Sequence, residues 1–148
     1  MARKLRGITQ AINGHLAQRF GGLDDLPKGR VASASPNAPA IRAAFLQGEA
    51  LLTRLFFEFC EAKGFRDAES QMKIWDRLIA RRHMFVELCE RSHLNKYSRF
   101  LLPQDTGEDY KARCFKLYCL YLMDCEISAG SAKNIWAETQ ALYQDMIL

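Results

Sequence analysis

Long apolar runs are missing from this 148-residue chain. The longest is the seven residues Leu117–Met123, against the roughly 18 that a bilayer-spanning helix needs. No Gly-rich loop leads into a lysine and a hydroxyl, and no GxSxG elbow is present. A phosphate cradle and a strained serine nucleophile are therefore not expected. Proline is scarce outside one stretch, since three of the four lie in residues 21–40 together with three glycines. No segment alternates with period two for long enough to demand a sheet, and there is neither a fixed-period repeat nor a low-complexity tract.

What is present is the material of a globular domain. Hydrophobic residues make up 49% and charged residues 26%, which excludes wholesale disorder. A chain of this size buries roughly 68–70% of its unfolded surface and can stand without disulfides or a structural metal. The five cysteines, Cys60, Cys89, Cys114, Cys119 and Cys125, are odd in number, sit in apolar helical patterns and include no CxxC pair. Such usage reads as small buried hydrophobes in a reducing compartment, and a cytoplasmic location is expected. Residues 1–20 hold no continuous apolar core of seven or more, so no secretory signal is expected.

The net charge of +4 is unevenly spread. Residues 1–35 hold Arg3, Lys4, Arg6, Arg19, Lys28 and Arg30 against Asp24 and Asp25, which leaves the rest with fifteen charges of each sign. The basic character belongs to an N-terminal arm, residues 1–20. There Leu5, Ile8, Ile12, Leu16 and Phe20 recur at helical spacing, so the arm is amphipathic. It overlaps a mitochondrial presequence pattern, although it lacks serine enrichment and contains Gly7 and Gly14. An irregular linker, residues 21–40, separates it from a helical-bundle domain, residues 41–148.

The expected fold is all-α: a bundle of four main helices plus a short one. The first body helix runs from about Ala38 to Lys63 and stops at Gly64. Its stripe is Ile41, Ala44, Phe45, Gly48, Leu51, Leu52, Leu55, Phe56 and Phe59, and Leu46, Ala50, Thr53 and Phe57 form a second seam. Two seams call for a central helix or for a surface that meets another chain, and central placement is expected. Asp67 caps the second helix, whose apolar arc holds Met72, Ile74, Trp75, Leu78, Ile79, Phe85, Val86, Leu88 and Cys89. A short helix over Lys96–Leu102 ends at Pro103. Thr106 caps the next helix, Gly107–Ser128, which is apolar nearly all round and is expected to be the hub. Gly130 ends the turn and Ser131 caps the last helix, with Ile135, Trp136, Thr139, Leu142, Tyr143 and Met146 inward.

Reactive constellations are thin. Cys89 and His93 share a helix face, but Cys89 lies in the apolar arc and reads as core. Glu90 and His93 form one Glu-x-x-His step, where a di-iron bundle needs two such steps and two further glutamates. No catalytic residue, metal, cofactor or small-molecule ligand is indicated, and the chain is not expected to be an enzyme.

Binding patterns are stronger. Lys73, Arg77 and Arg81 recur at i, i+4 and i+8 along roughly 12 Å, a row able to follow a phosphate backbone without reading bases. Arg82 falls inside the apolar arc, where a guanidinium needs an acidic partner such as Asp124. Lys96, Arg99 and Lys111 interleave with Tyr97, Phe100 and Tyr110, the last two expected in the core. The expected function is a non-catalytic binding protein, a subunit of a larger assembly with other protein subunits. It holds an acidic surface such as an RNA or DNA backbone through Arg3, Lys4, Arg6, Arg19, Lys73, Arg77 and Arg81. One alternative is a protein-only adaptor or inhibitor that docks through the apolar arm face or through Leu46, Ala50 and Phe57. Another is peripheral attachment of the arm to an anionic membrane.

Overall fold

A computed structural model describes residues 10, 12, 14, 38–80, 83–92, 94 and 109–147. The fold is an all-α bundle. In chain order the helices are α1 (Ala38–Ala62), α2 (Ala68–Ala80), α3 (His83–Arg91), α4 (Tyr110–Ala129) and α5 (Ala132–Ile147). The second expected helix is thus described as two spans, with Arg81 and Arg82 outside the described residues. The expected helix over Lys96–Leu102, the linker and nearly all of the arm also lie outside them.

Local chemistry accounts for the helix ends. At the end of α1, Gly64 takes φ +91°, and the amide of Phe65 donates to the Cys60 carbonyl at 2.9 Å. That 6→1 bond is a Schellman closure, which a glycine permits without a Cβ clash. A left-handed glycine also ends α4, where Gly130 has φ 59° and its own amide donates to the Glu126 carbonyl at 2.9 Å, the 5→1 bond of the αL motif. Asp67 caps α2 as expected, accepting from the Ser70 amide at 2.8 Å. This bond comes first among the causes that hold its carboxyl below the usual value.

Two expected caps are corrected. Helix α4 is capped by Asp109, whose Oδ1 accepts from the Ala112 amide at 2.7 Å, and not by Thr106. The carboxylate is the stronger acceptor and stands one residue before Tyr110, where an N-cap must be. Ser131 stands at the start of α5, but its hydroxyl turns back to the Cys125 carbonyl at 3.4 Å. Replacing Asp109 with alanine is expected to cost about 1 kcal/mol. Urea unfolding measures this, and an unchanged midpoint would remove Asp109 from that role.

The hub is α4. Cys114, Phe115, Leu117, Tyr118, Cys119, Leu120, Tyr121, Leu122 and Cys125 are all buried along it, and α1, α3 and α5 each pack against it. From α3, the Phe85 ring sits 5.2 Å from both Phe115 and Tyr118. From α5, Thr139 takes the Tyr118 hydroxyl at 2.7 Å and bonds the Ile135 carbonyl at 2.8 Å, so this buried pair is satisfied. Trp136 Nε1, Gln140 Oε1 and the Tyr143 hydroxyl, spaced along one face of α5, find no hydrogen-bond partner among the described residues. Unpaired burial costs about 1–3 kcal/mol per group.

The closest approach in the bundle is between α1 and α4. A Cβ on Gly48 would overlap the Cys119 carbonyl oxygen and stand 2.8 Å from its carbon. Lys116 Nζ lies 5.5 Å from the Phe45 ring centre. The pairs 45/116 and 48/119 advance together, so α1 and α4 run in the same direction. Phe59, near the end of α1, meets Trp136 just past the turn after α4, as that direction requires.

Three expectations about burial are corrected. Helix α1 is not central, because Leu46 is 52% exposed and Ala50 is also at the surface. Met72 is exposed because Gln71 takes the inward position, its amide donating to the Phe65 carbonyl at 2.9 Å. Tyr110 is exposed because it opens α4 ahead of the buried turns. All five cysteines are buried free thiols. Ile12, in the arm, is fully buried in the main core cluster.

Candidate anion-binding surface

The parallel packing of α1 and α4 places their N-terminal halves at one end of the bundle. Neither half contains an acid: α1 has none before Glu49, and α4 none from Tyr110 to Met123. Both helices also direct the positive ends of their dipoles that way. Arg42 on α1 is exposed, while Arg113 and Lys116 on α4 are half-buried. Lys116 covers the half-buried Phe45 ring, a cation–π contact that fixes the ammonium beside α1. Arg113 lies one turn before Lys116 on the same face.

Arg42, Leu46 and Ala50 follow one another at four-residue steps and form the exposed rim of this face. Lys111 lies on the other flank of α4, its Nζ 3.5 Å from His83 Nε2 on α3. Among the described residues, Asp109 caps α4 at this end, and Glu90 acts electrostatically on Cys114. Glu87 is paired within α3 to Arg91 at 3.6 Å.

The row expected on α2 stands elsewhere. Trp75 of α2 packs on Phe56, at 5.0 Å between ring centres. Phe56 is eleven residues, or roughly 16 Å of helix, beyond Phe45. Lys73 pairs with Glu69 at 3.4 Å, both side chains well exposed, and such a pair is worth only a few tenths of a kcal/mol. Arg77, like Arg113 and Lys116, is engaged in an interaction of its own. Arg81, like Arg3, Lys4, Arg6 and Arg19, lies outside the described residues.

Of the apolar seam, Leu46 and Ala50 face outward, whereas Phe57 is half-buried with its ring edge-on to Phe56 at 5.4 Å. Ile12 is committed to the chain's own core, so it does not serve as part of an outward arm face. Cys89 is core as read, and His93 lies outside the described residues. No group of three or more metal-ligating side chains occurs among the described residues. Nor is any described helix long and apolar enough to cross a membrane.

Sequence reading missed Arg42, Arg113 and Lys116 because they belong to different helices and follow no common spacing. The one available signal was the acid-free composition of two long helices. Comparisons with protein-family models, curated proteins and solved structures return no match to this chain.

Proposed function

We propose that the protein is a non-catalytic binding protein, a cytoplasmic subunit of a larger assembly, that holds an anionic surface such as a nucleic-acid backbone. The observation that carries this reading is the packing of two helix halves that contain no acid, with Lys116 over the Phe45 ring, Arg113 one turn before Lys116 and Arg42 exposed one turn before Phe45. Three cations on one face contact phosphates without reading base edges, so binding is independent of sequence. The reading also takes in the arm residues Arg3, Lys4, Arg6 and Arg19 and the row Lys73, Arg77 and Arg81.

Each neutralised phosphate releases counterions, with a slope of about −0.9 per contact on duplex. Three contacts predict that affinity for a random-sequence duplex falls roughly twentyfold between 50 and 150 mM salt, and more steeply if the arm takes part. Arg42→Glu with Lys116→Glu should flatten that dependence while circular dichroism stays that of the parent. A flat salt dependence in the unmodified chain would end this reading.

The second reading is a protein-only adaptor, favoured by the outward Leu46 and Ala50. Leu46→Gln separates the two. It weakens a dock built on apolar contact and, adding no charge beside Arg42, leaves salt-dependent polyanion binding intact.

A further inference from the structure

Among the described residues, the buried side-chain polar atoms without a hydrogen-bond partner are Trp136 Nε1, Gln140 Oε1 and the Tyr143 hydroxyl, and all three belong to α5. They fall at i, i+4 and i+7, a single stripe along roughly 10 Å of helix. Trp136 and Tyr143 are more than nine-tenths buried. The Glu87 carboxylate on α3 lies close to the Tyr143 hydroxyl without bonding it, and is held by Arg91 at 3.6 Å instead. Other buried polar side chains of the bundle are bonded. Gln71 donates to the Phe65 carbonyl, Ser92 donates to that of Leu88, and Tyr118 and Thr139 bond each other.

Two opposed effects meet at this stripe. Closing α5 against the bundle takes Ile135, Trp136, Leu142 and Tyr143 out of water, which favours the closed arrangement. It also strips three polar groups of their hydration with no bond in return. Each such group favours an open α5 by roughly fivefold to a hundredfold. Along α4 the buried residues are apolar, or paired as Tyr118 is, so the hub carries no such penalty among its described partners. The joint between the two helices is short. Helix α4 ends at Ala129 and α5 begins at Ala132, and Gly130 between them has φ 59°, where a glycine turns without a Cβ clash. The ties across the joint are the Tyr118–Thr139 bond at 2.7 Å and the edge-on contact of the Phe59 and Trp136 rings at 6.2 Å.

We propose that α5 is a gate built into the fold, a unit that swings off the hub about Gly130 while α1, α3 and α4 stay packed. The open state is populated far more often than the unfolded chain. In it water satisfies the polar stripe, and the hub face around Tyr118 and Phe59, both buried when α5 is closed, becomes reachable. The gate is independent of the anion-binding reading.

Native-state amide hydrogen exchange of the full chain, near neutral pH at low urea and read by fragment mass spectrometry, tests this. Amides of residues 136–142 lie ahead of the kink at Tyr143 (φ −116°, ψ 18°), so fraying of the last turn does not account for them. They should exchange at one common rate, roughly a hundredfold faster than amides of residues 114–122 on α4 once each is scaled to the unstructured chain. Their exchange should also rise less steeply with urea than that of α4, because opening one helix exposes less surface than unfolding. Gln140→Met combined with Tyr143→Phe keeps the shape of both side chains and removes two of the unpaired groups, and should slow exchange of the same amides at least about tenfold. Equal protection of α5 and α4, a gradient running inward from the last turn, or unchanged α5 exchange in the folded double variant would each overturn the proposal. If that variant does not fold, the exchange map of the unmodified chain decides alone.

Discussion

Raising the pH from 10 to 11 is expected to remove about 3 kcal/mol of folding stability, at about 1 kcal/mol for each of three tyrosines. Tyr118, Tyr121 and Tyr143 are buried, and burial is the largest reason that each holds its proton above the ordinary value of 10.0. A phenolate in an apolar interior has lost its hydration, so the neutral form is favoured in the fold. For Tyr118 the Thr139 bond opposes this and is outweighed. For Tyr143, Glu87 acts in the same direction as burial and Arg91 against it, and the hydroxyl is pushed up to about 12.

The sign follows from proton counts. Above pH 10 the unfolded chain has released these protons and the folded chain has kept them. The contribution is therefore whole below pH 10 and is lost as pH climbs toward the folded values. The loss from Tyr143 levels off near 12. Buried thiols whose ordinary value is 9.0, such as Cys60 and Cys125, act in the same sense from about pH 9.

Urea midpoints at pH 9, 10 and 11 should decline gently and then steeply. Changing Tyr118, Tyr121 and Tyr143 to phenylalanine should flatten the steep part, and Thr139 would still bond the Ile135 carbonyl. The phenolate absorbance that these three contribute, read as the difference between the parent and that variant, should rise only as the protein unfolds; a difference at pH 10 while the parent is folded would refute the burial argument.

Gly48→Ala is expected to destabilise the protein by about 2–3 kcal/mol. At an exposed helical position the same change stabilises by up to about 1 kcal/mol, because alanine is the better helix former. Here the added methyl meets the Cys119 backbone, 2.8 Å from its carbonyl carbon. A backbone group cannot turn aside as the end of a long side chain can, so α1 and α4 must separate and loosen the hub. The melting temperature should fall by about 5–10 °C. Ala50→Gly, one turn fraction along on the exposed rim, is the control and should cost only about 1 kcal/mol. If Gly48→Ala matches or exceeds the parent in stability, the helices do not cross at this glycine.

Much of the architecture is legible in residue order because the signals are local. Apolar steps of three and four mark α1, α4 and α5. Gly64 and Gly130 stop helices through backbone freedom, and Asp67 starts one with its carboxylate. The all-round apolar wheel of α4 identifies the hub, since a helix without a polar face has to be covered on most sides. The burial of the cysteines follows from the same patterns.

Features that depend on which helix lies against which are not legible in that way. Gly48 reads as one more member of a stripe until Cys119 is set beside it. Gln71 and Met72 exchange places because a carbonyl outside their own helix, that of Phe65, is available to the amide. Leu46 and Ala50 form a seam on paper and a rim in the bundle, because α4 covers the other side of α1. Arg42, Arg113 and Lys116 are far apart along the chain, and the shared direction of two helices makes them neighbours. Periodicity records rotation about a single axis. The partner, direction and depth of each packed face arise only when the whole core closes, and the proposed surface belongs to that second kind of information.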